Sequence, residues 1–182
     1  MLENYGGLRP NVLHPPFNNP KARQALALMV DQREYAQASY GGEQFWKDST
    51  PCFSLWICKA PFGTQAGTEA YAKQNIERAK QLMAEAGYKG EKIVLIGASD
   101  IGFLKSLTLV TADNLKKIGV NVDLQLQEWG NVVARRGKKE PPEQGGWHIF
   151  HTTAGGASQA LPFSNLGTLT ACDAAWFGWP CD

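Results

Sequence analysis

The sequence predicts an α/β domain whose strands run parallel. Three adjacent segments carry that prediction. Ile93-Val94-Leu95-Ile96 is a continuous apolar run, which suits a strand buried on both faces. Leu104, Leu107, Thr111, Leu115 and Ile118 recur at helical spacing and predict a helix over about 103–118. Residues 120–127 then alternate, with Val120, Val122, Leu124 and Leu126 set against Asn121, Asp123, Gln125 and Gln127, the period of a half-buried strand. Strand, helix and strand within roughly 35 residues form a βαβ unit with a right-handed crossover.

The remaining elements follow in chain order. Residues 7–18 read as an extended lead-in ending in Pro15-Pro16. Asn19 caps a helix with Pro20 in its first turn, burying Ala22, Leu26, Met29 and Val30. Asp31-Gln32-Arg33-Glu34 is an acidic variant of the capping box, and it opens a second helix that ends at Gly41-Gly42. Residues 43–68 read as a long irregular loop containing Phe45, Trp46, Phe53 and Trp56. Ile76, Ala79, Leu82, Met83 and Ala86 give a helix over 75–86, stopped by Gly87 with Tyr88 folding back. Lys116 and Lys117 suit the last turn of the helix at 103–118, which Gly119 ends. A short helix follows Trp129, Gly137 to Gly146 is a loop, and Trp147 to Thr153 is a third strand.

Composition narrows the function classes. The chain has 182 residues, 43% hydrophobic and 19% charged, with a net charge of +1. That is enough chain to bury roughly 70% of its unfolded surface, and too little charge excess for disorder. No basic surplus points to nucleic acid, since Arg135-Arg136 and Lys138-Lys139 sit beside Glu140 and Glu143. Gln144 to Cys172 lacks any charged side chain, but its Gly, Ser, Thr, Asn and Gln content and Pro162 deny it the ~20 apolar residues of a membrane span. Met1-Leu2-Glu3-Asn4 has neither the basic start nor the apolar core of a secretory leader, so either the protein is cytosolic or this is a mature piece whose leader has been removed.

Four cysteines form two local pairs, Cys52 with Cys58 and Cys172 with Cys181. No tight C-x2-4-C knuckle for zinc and no redox C-x-x-C occurs. Two short-loop disulfides, each worth roughly 2–3 kcal/mol, fit this spacing, and Cys52–Cys58 would pin the loop at 43–68. They would place the protein in an oxidising compartment. Four buried thiols are the alternative.

No catalytic motif appears: no G-x-S-x-G, P-loop or G-x-G-x-x-G. Ser54, Ser99 and Ser158 have no indicated partner, and His14 reads as a loop residue. His148 and His151 lie three apart in a strand and point to opposite faces, so neither a metal nor another cofactor is expected. In an open α/β sheet, ligands bind beyond the carboxyl ends of the strands. Those ends are Ala98-Ser99-Asp100, Glu128-Trp129 and Thr153-Ala154-Gly155, with Trp176, Phe177 and Trp179 clustered near the C-terminus. Ser99, Asp100, Trp129, Thr153, Ala154, Gly155, Trp176, Phe177 and Trp179 are therefore the candidate ligand-binding residues. Tryptophan is also commonly buried. Trp147, inside a strand, reads as core, while Trp129 is open to either role.

Several stretches together resemble a known family. Pro15-Pro16-Phe17-Asn18-Asn19 and Lys21-Ala22-Arg23-Gln24-Ala25-Leu26 resemble the PPF-(D/N)-N-x-x-(V/A)-R-Q-A segment of family 5 extracellular solute-binding proteins, the dipeptide, oligopeptide and nickel receptors of ABC importers. Ala79-Lys80-Gln81-Leu82-Met83-Ala84-Glu85-Ala86-Gly87-Tyr88 is similar to their AKxLLxEAGY helix, and Leu115-Lys116-Lys117-Ile118-Gly119-Val120 with Val122 to their LKxIGVxV turn. Gly145-Gly146-Trp147-His148-Ile149-Phe150 and Trp176-Phe177-Gly178-Trp179-Pro180 resemble a subgroup.

The resemblance implies one lobe of a type II periplasmic-binding-protein fold, with a mixed or parallel sheet flanked by helices. It implies that residues 1–182 are a single lobe, most of the C-terminal lobe of a longer bilobed receptor that begins before this chain and continues past it. The implied role is capture of a small solute in the inter-lobe cleft, in the periplasm, without catalysis. The implied partners are that solute, the N-terminal lobe and a membrane permease, with no nucleic acid. Peptide-binding members carry an Asp after the third strand that pairs with the peptide's ammonium. Here Thr153-Ala154-Gly155-Gly156-Ala157-Ser158-Gln159 holds no acid, and a buried ammonium without a carboxylate is costly. A free-amine peptide held in that way is therefore not expected, and another small solute stays open. The alternatives are a small α/β hydrolase or transferase, which needs converging polar groups of perturbed pKa, and an extracellular interaction domain using the Trp-rich face.

Overall fold

A computed structural model describes residues 4–46, 66, 67, 69–155 and 170–181. Four strands form one mixed sheet: β1 (Asn4–Pro10), β2 (Ile93–Ala98), β3 (Val122–Gln127) and β4 (Ile149–Gly155), in the order β1-β4-β2-β3. β2 runs parallel to both β3 and β4, and β1 is antiparallel to β4. Among the described residues, five α-helices pack around it: α1 (Pro20–Leu28), α2 (Gln32–Tyr40), α3 (Ile76–Glu85), α4 (Gly102–Lys117) and α5 (Trp129–Arg136). The βαβ unit is β2-α4-β3, as the periodicity predicts. Among the described residues, no helix is long and apolar enough to cross a membrane.

Local chemistry sets the helix ends. Asn19 and Asp31 accept the backbone N–H groups of Lys21 and Arg33, capping α1 and α2. α3 and α4 end alike. Gly87 and Gly119 take left-handed φ of 87° and 83°, and Tyr88 and Val120 donate back to the carbonyls of Met83 and Leu115 at 3.1 and 2.9 Å.

The sheet separates two cores. On one face Ile93, Leu95 and Ile149 pack with Leu115, Ala112, Met83, Leu82 and Phe17 under α1, α3 and α4. On the other, Val94, Ile96 and Phe150 pack with Val132 of α5, Trp147 and Trp179. Every residue of β2 is buried, as its unbroken apolar run requires.

Some expectations shift. The lead-in at 7–18 holds a strand, β1, whose seven residues all pair with β4, followed by turns around a cis Pro15-Pro16 bond. β3 starts two residues later than the alternation, and all of it is part-exposed because it is an edge strand. β4 spans 149–155 rather than 147–153, because the Pro142–Gln144 turn and Gly145 (φ 89°) delay straightening of the chain. Of the loop at 43–68, Glu43–Phe45 forms a short 3-10 turn, whereas Cys52 and Cys58 lie outside the described residues. Cys172 and Cys181 are bridged.

Candidate functional site

β2, β3 and β4 are parallel, so their carboxyl ends share one edge of the sheet. There the Ser99 N–H donates to the Gln127 carbonyl (2.8 Å), which ties the end of β2 to the end of β3. Asp100 reaches one step further. Its Oδ1 accepts the Trp129 N–H at 2.8 Å. Glu128, the residue before α5, makes no side-chain cap of its own, so a carboxylate from another element satisfies the first donor of this helix. Ser99 and Asp100 are exposed and Trp129 is half-buried.

Positions 129, 132 and 136 fall on one face of α5, two turns long, and all three meet the aromatic core. Helical side chains lean toward the N-terminus, so Arg136 extends back along the helix toward Trp129. Its guanidinium carbon stands 5.5 Å from the Trp129 ring centre, 5.7 Å from Trp176 and 4.7 Å from Phe177. Each such contact is worth ~0.5–2 kcal/mol. Its Nε is buried and makes no hydrogen bond among the described residues. Burial alone lowers the Arg136 pKa from its ordinary value, and no ion pair to a carboxylate offsets the burial among the described residues. The guanidinium stays charged. Neighbouring Arg135 is spent on structure. It donates to the Gln125 side chain and to the carbonyls of Gly145 and Gly146.

Trp176 and Phe177 come from the segment 170–181, which lies over the same face. Arg9 Nε donates to the Phe177 carbonyl at 2.6 Å, and the Arg9 guanidinium stands 5.4 Å from the Trp176 ring. Behind them Trp179, 5% exposed, packs 6.0 Å from fully buried Trp147, and Trp147 meets Phe150 edge-on at 4.9 Å. The Trp147 Nε1–H donates to the Arg136 carbonyl. Trp147 is core, as expected from the sequence, although it sits just before β4 rather than inside it.

The structure thus brings Trp129, Trp176 and Phe177 together around Arg136, with Trp179 as their backing, and sets Ser99 and Asp100 beside Trp129. Thr153, Ala154 and Gly155 stand elsewhere on that edge. They pair with Gly6, Tyr5 and Asn4 on a two-stranded ribbon beyond the last β2–β4 pair at Ile96 and Phe150. Gly156 to Gln159 of the acid-free loop lie outside the described residues, as do Ser54 and Ser158. Arg136 and Arg9 were not singled out from the sequence. The spacing of seven from Trp129 to Arg136 was a readable signal; nothing local marks Arg9.

Among the described residues, no three His, Cys, Asp or Glu side chains converge on a metal position. His148 takes the Val94 N–H on Nδ1 (2.9 Å), whereas His151 Nε2 meets the Thr111 hydroxyl (2.7 Å). A shallow depression of about 400 Å3 near α2 is lined by Asp31, Glu34 and Trp46, but its carboxylates are already committed to capping α2 and to Lys117 and Asn114.

Comparison with known proteins places this geometry. Residues 3–175 match the family described as bacterial extracellular solute-binding proteins, family 5 Middle. Over 174 residues, 95% of this chain, the sequence is 40% identical to a probable peptide ABC transporter periplasmic-binding protein, y4tO, from Sinorhizobium fredii, and it covers 32% of that protein. It is 24% identical over 181 residues to di/tripeptide-binding protein 1 from Pseudomonas aeruginosa, covering 94% of this chain and 30% of that one. The chain therefore spans about a third of the length of the curated relatives it matches. The fold is similar to that of the ABC transporter substrate-binding protein CtaP from Listeria monocytogenes, with TM-score 0.78 at 20% identity over 98% of this chain and 35% of that one. A match that runs through nearly every element described above shows that the chain belongs to the bacterial extracellular solute-binding proteins of family 5.

Proposed function

We propose that residues 1–182 act as a single substrate-binding lobe in the periplasmic solute receptor of an ABC importer. The observation that carries this reading is the convergence of Trp129, Trp176 and Phe177 on Arg136, a guanidinium with no carboxylate partner among the described residues. Family membership makes the role capture rather than catalysis, and the hydrolase or transferase alternative falls away. The solute would lie against the strand-end edge formed by Ser99, Asp100, Trp129, Thr153, Ala154 and Gly155, with Trp176 and Phe177 as an aromatic wall and Trp179 supporting it. A second lobe would close over it by hinge motion, and a membrane permease would receive it.

The names of the Sinorhizobium and Pseudomonas relatives suggest a peptide-like solute. The charge at the aromatic wall itself is the Arg136 cation, so the solute would be anchored there through a carboxylate, while the exposed Asp100 beside Trp129 keeps its own negative charge. Burying that carboxylate against Arg136 would also relieve the desolvated guanidinium.

The test is an NMR titration of the chain with dialanine, its N-acetyl form and its C-terminal amide. The carboxylate-bearing forms are expected to shift the Trp129 and Trp176 indole signals at millimolar concentration, with or without acetylation. The amide, and the Arg136→Met variant, are expected to leave those signals in place. Micromolar saturation by this chain alone would contradict a half-site. Shifts confined to other residues would contradict this wall.

A further inference from the structure

The segment 170–181 is a strap fastened to itself and to the body. Cys172 and Cys181 are bridged, Ala171 pairs with Cys181, and the Cys172 N–H donates to the Pro180 carbonyl at 3.1 Å. Its middle docks through Arg9, which donates to the Phe177 and Trp176 carbonyls, and through the Val12 N–H, which donates to the Gly178 carbonyl at 2.9 Å. Three strap residues hold left-handed backbone: Cys172 (φ 55°), Gly178 (98°) and Trp179 (50°). Two of these are not glycine, so the docked shape is unfavourable locally and persists only while the surroundings impose it. The strap is also the source of Trp176, Phe177 and Trp179 in the aromatic core. The two cysteines lie on its exposed ends, while Ala175, Gly178 and Trp179 between them are buried.

We propose that the Cys172–Cys181 bridge is a thiol–disulfide exchange site and acts as the latch of this strap. The co-reactant is an external dithiol of the thiol–disulfide oxidoreductase class. One of its thiolates attacks a bridge sulfur, forming a mixed disulfide and releasing one cysteine thiolate. Its second thiol resolves the mixed disulfide and releases the other cysteine. The dithiol leaves oxidised, and Cys172 and Cys181 each end as a thiol carrying one proton. Reduction leaves the sheet intact but removes the loop-closure restraint from the undocked strap. For cysteines nine apart, that restraint shifts the docking equilibrium by roughly a hundredfold. Unlatching would release Trp176 and Phe177 from Arg9 and Arg136 and uncover Trp147 and Phe150.

Hydrogen exchange by mass spectrometry on the oxidised full chain, with and without dithiothreitol, tests this. Exchange at residues 170–181 is expected to rise by up to about a hundredfold while β2 stays protected. The Cys172→Ser/Cys181→Ser variant is expected to show the fast exchange without reductant and no further response in this segment. That lack of response removes any contribution from Cys52 and Cys58. Should the variant fail to fold, the wild-type chain reduced in place decides the matter. Alkylation of Cys172 and Cys181 with unchanged strap exchange would overturn the proposal, and so would reduction that proceeds only as β2 loses protection. No solute enters this experiment, so its failure leaves the binding reading untouched, and failure of the NMR titration leaves the latch untouched.

Discussion

Two buried histidines make stability depend on pH. The Val94 N–H can only donate, so His148 Nδ1 carries no proton, and the other side of the ring bonds the Pro15 carbonyl. Burial lowers the His148 pKa from 6.5 to about 4 and that of His151 to about 3. In the unfolded chain both titrate near ~6.5, so the unfolded state binds more protons below that pH. Their contribution is fully present above pH ~6.5 and is lost as pH falls toward the folded values. The expected slope in urea unfolding approaches ~2.7 kcal/mol per pH unit between pH 6 and 5, above the carboxylate range. His151→Gln should halve it. A flat profile in that window would mean that the rings are solvated. Gly178 is sensitive for a different reason. At φ 98° an added Cβ would run into the Pro10 carbonyl oxygen, so Gly178→Ala should cost ~1–3 kcal/mol in thermal melts.

At the scale of elements, α5 depends on a cap from the bend that follows β2. Asp100→Ala removes the acceptor of the Trp129 N–H and should cost ~1 kcal/mol, with faster amide exchange in the first turn of α5. Asp100→Asn keeps an acceptor and should restore most of the loss. Equal exchange in all three proteins would show that water serves as well as the carboxylate. Such cross-element bonds mark what a sequence hides. β2, α3, α4 and the start of α5 were legible because apolar spacing, Gly87 and Gly119 specify them locally. β1 was not, since Gly6, Gly7 and Pro10 are poor strand formers and only pairing with β4 holds them extended. The candidate site divides in the same way. The strand-end rule named Ser99, Asp100 and Trp129, which the structure sets side by side, and also Thr153, Ala154 and Gly155, which stand apart from them, while clustering near the C-terminus pointed to Trp176 and Phe177. Arg9 acts across 168 residues of sequence, a contact that exists only once the sheet has formed.

At the largest scale, β1 and the strap, far apart in sequence, are joined. β1 contributes the outer strand beside β4, and Arg9, opposite Phe150, clamps the strap. Residues 4–10 therefore support both the sheet edge and the aromatic face, while β2 pairs with β3 and β4 and not with β1. Deleting residues 1–10 should separate these two parts. Far-ultraviolet circular dichroism should retain most of its helical signal, since among the described residues no α-helix begins before Pro20. Near-ultraviolet circular dichroism should lose tryptophan fine structure, and tryptophan emission should shift to the red as Trp176 and Trp179 become wet. Urea unfolding should divide into two transitions, an early one reported by tryptophan and a later one by helix content. A single coincident transition with unshifted emission would show that β4 and the strap hold the aromatic face without β1, and would move the cooperative unit of this fold from the joined β1 and strap to the βαβ unit.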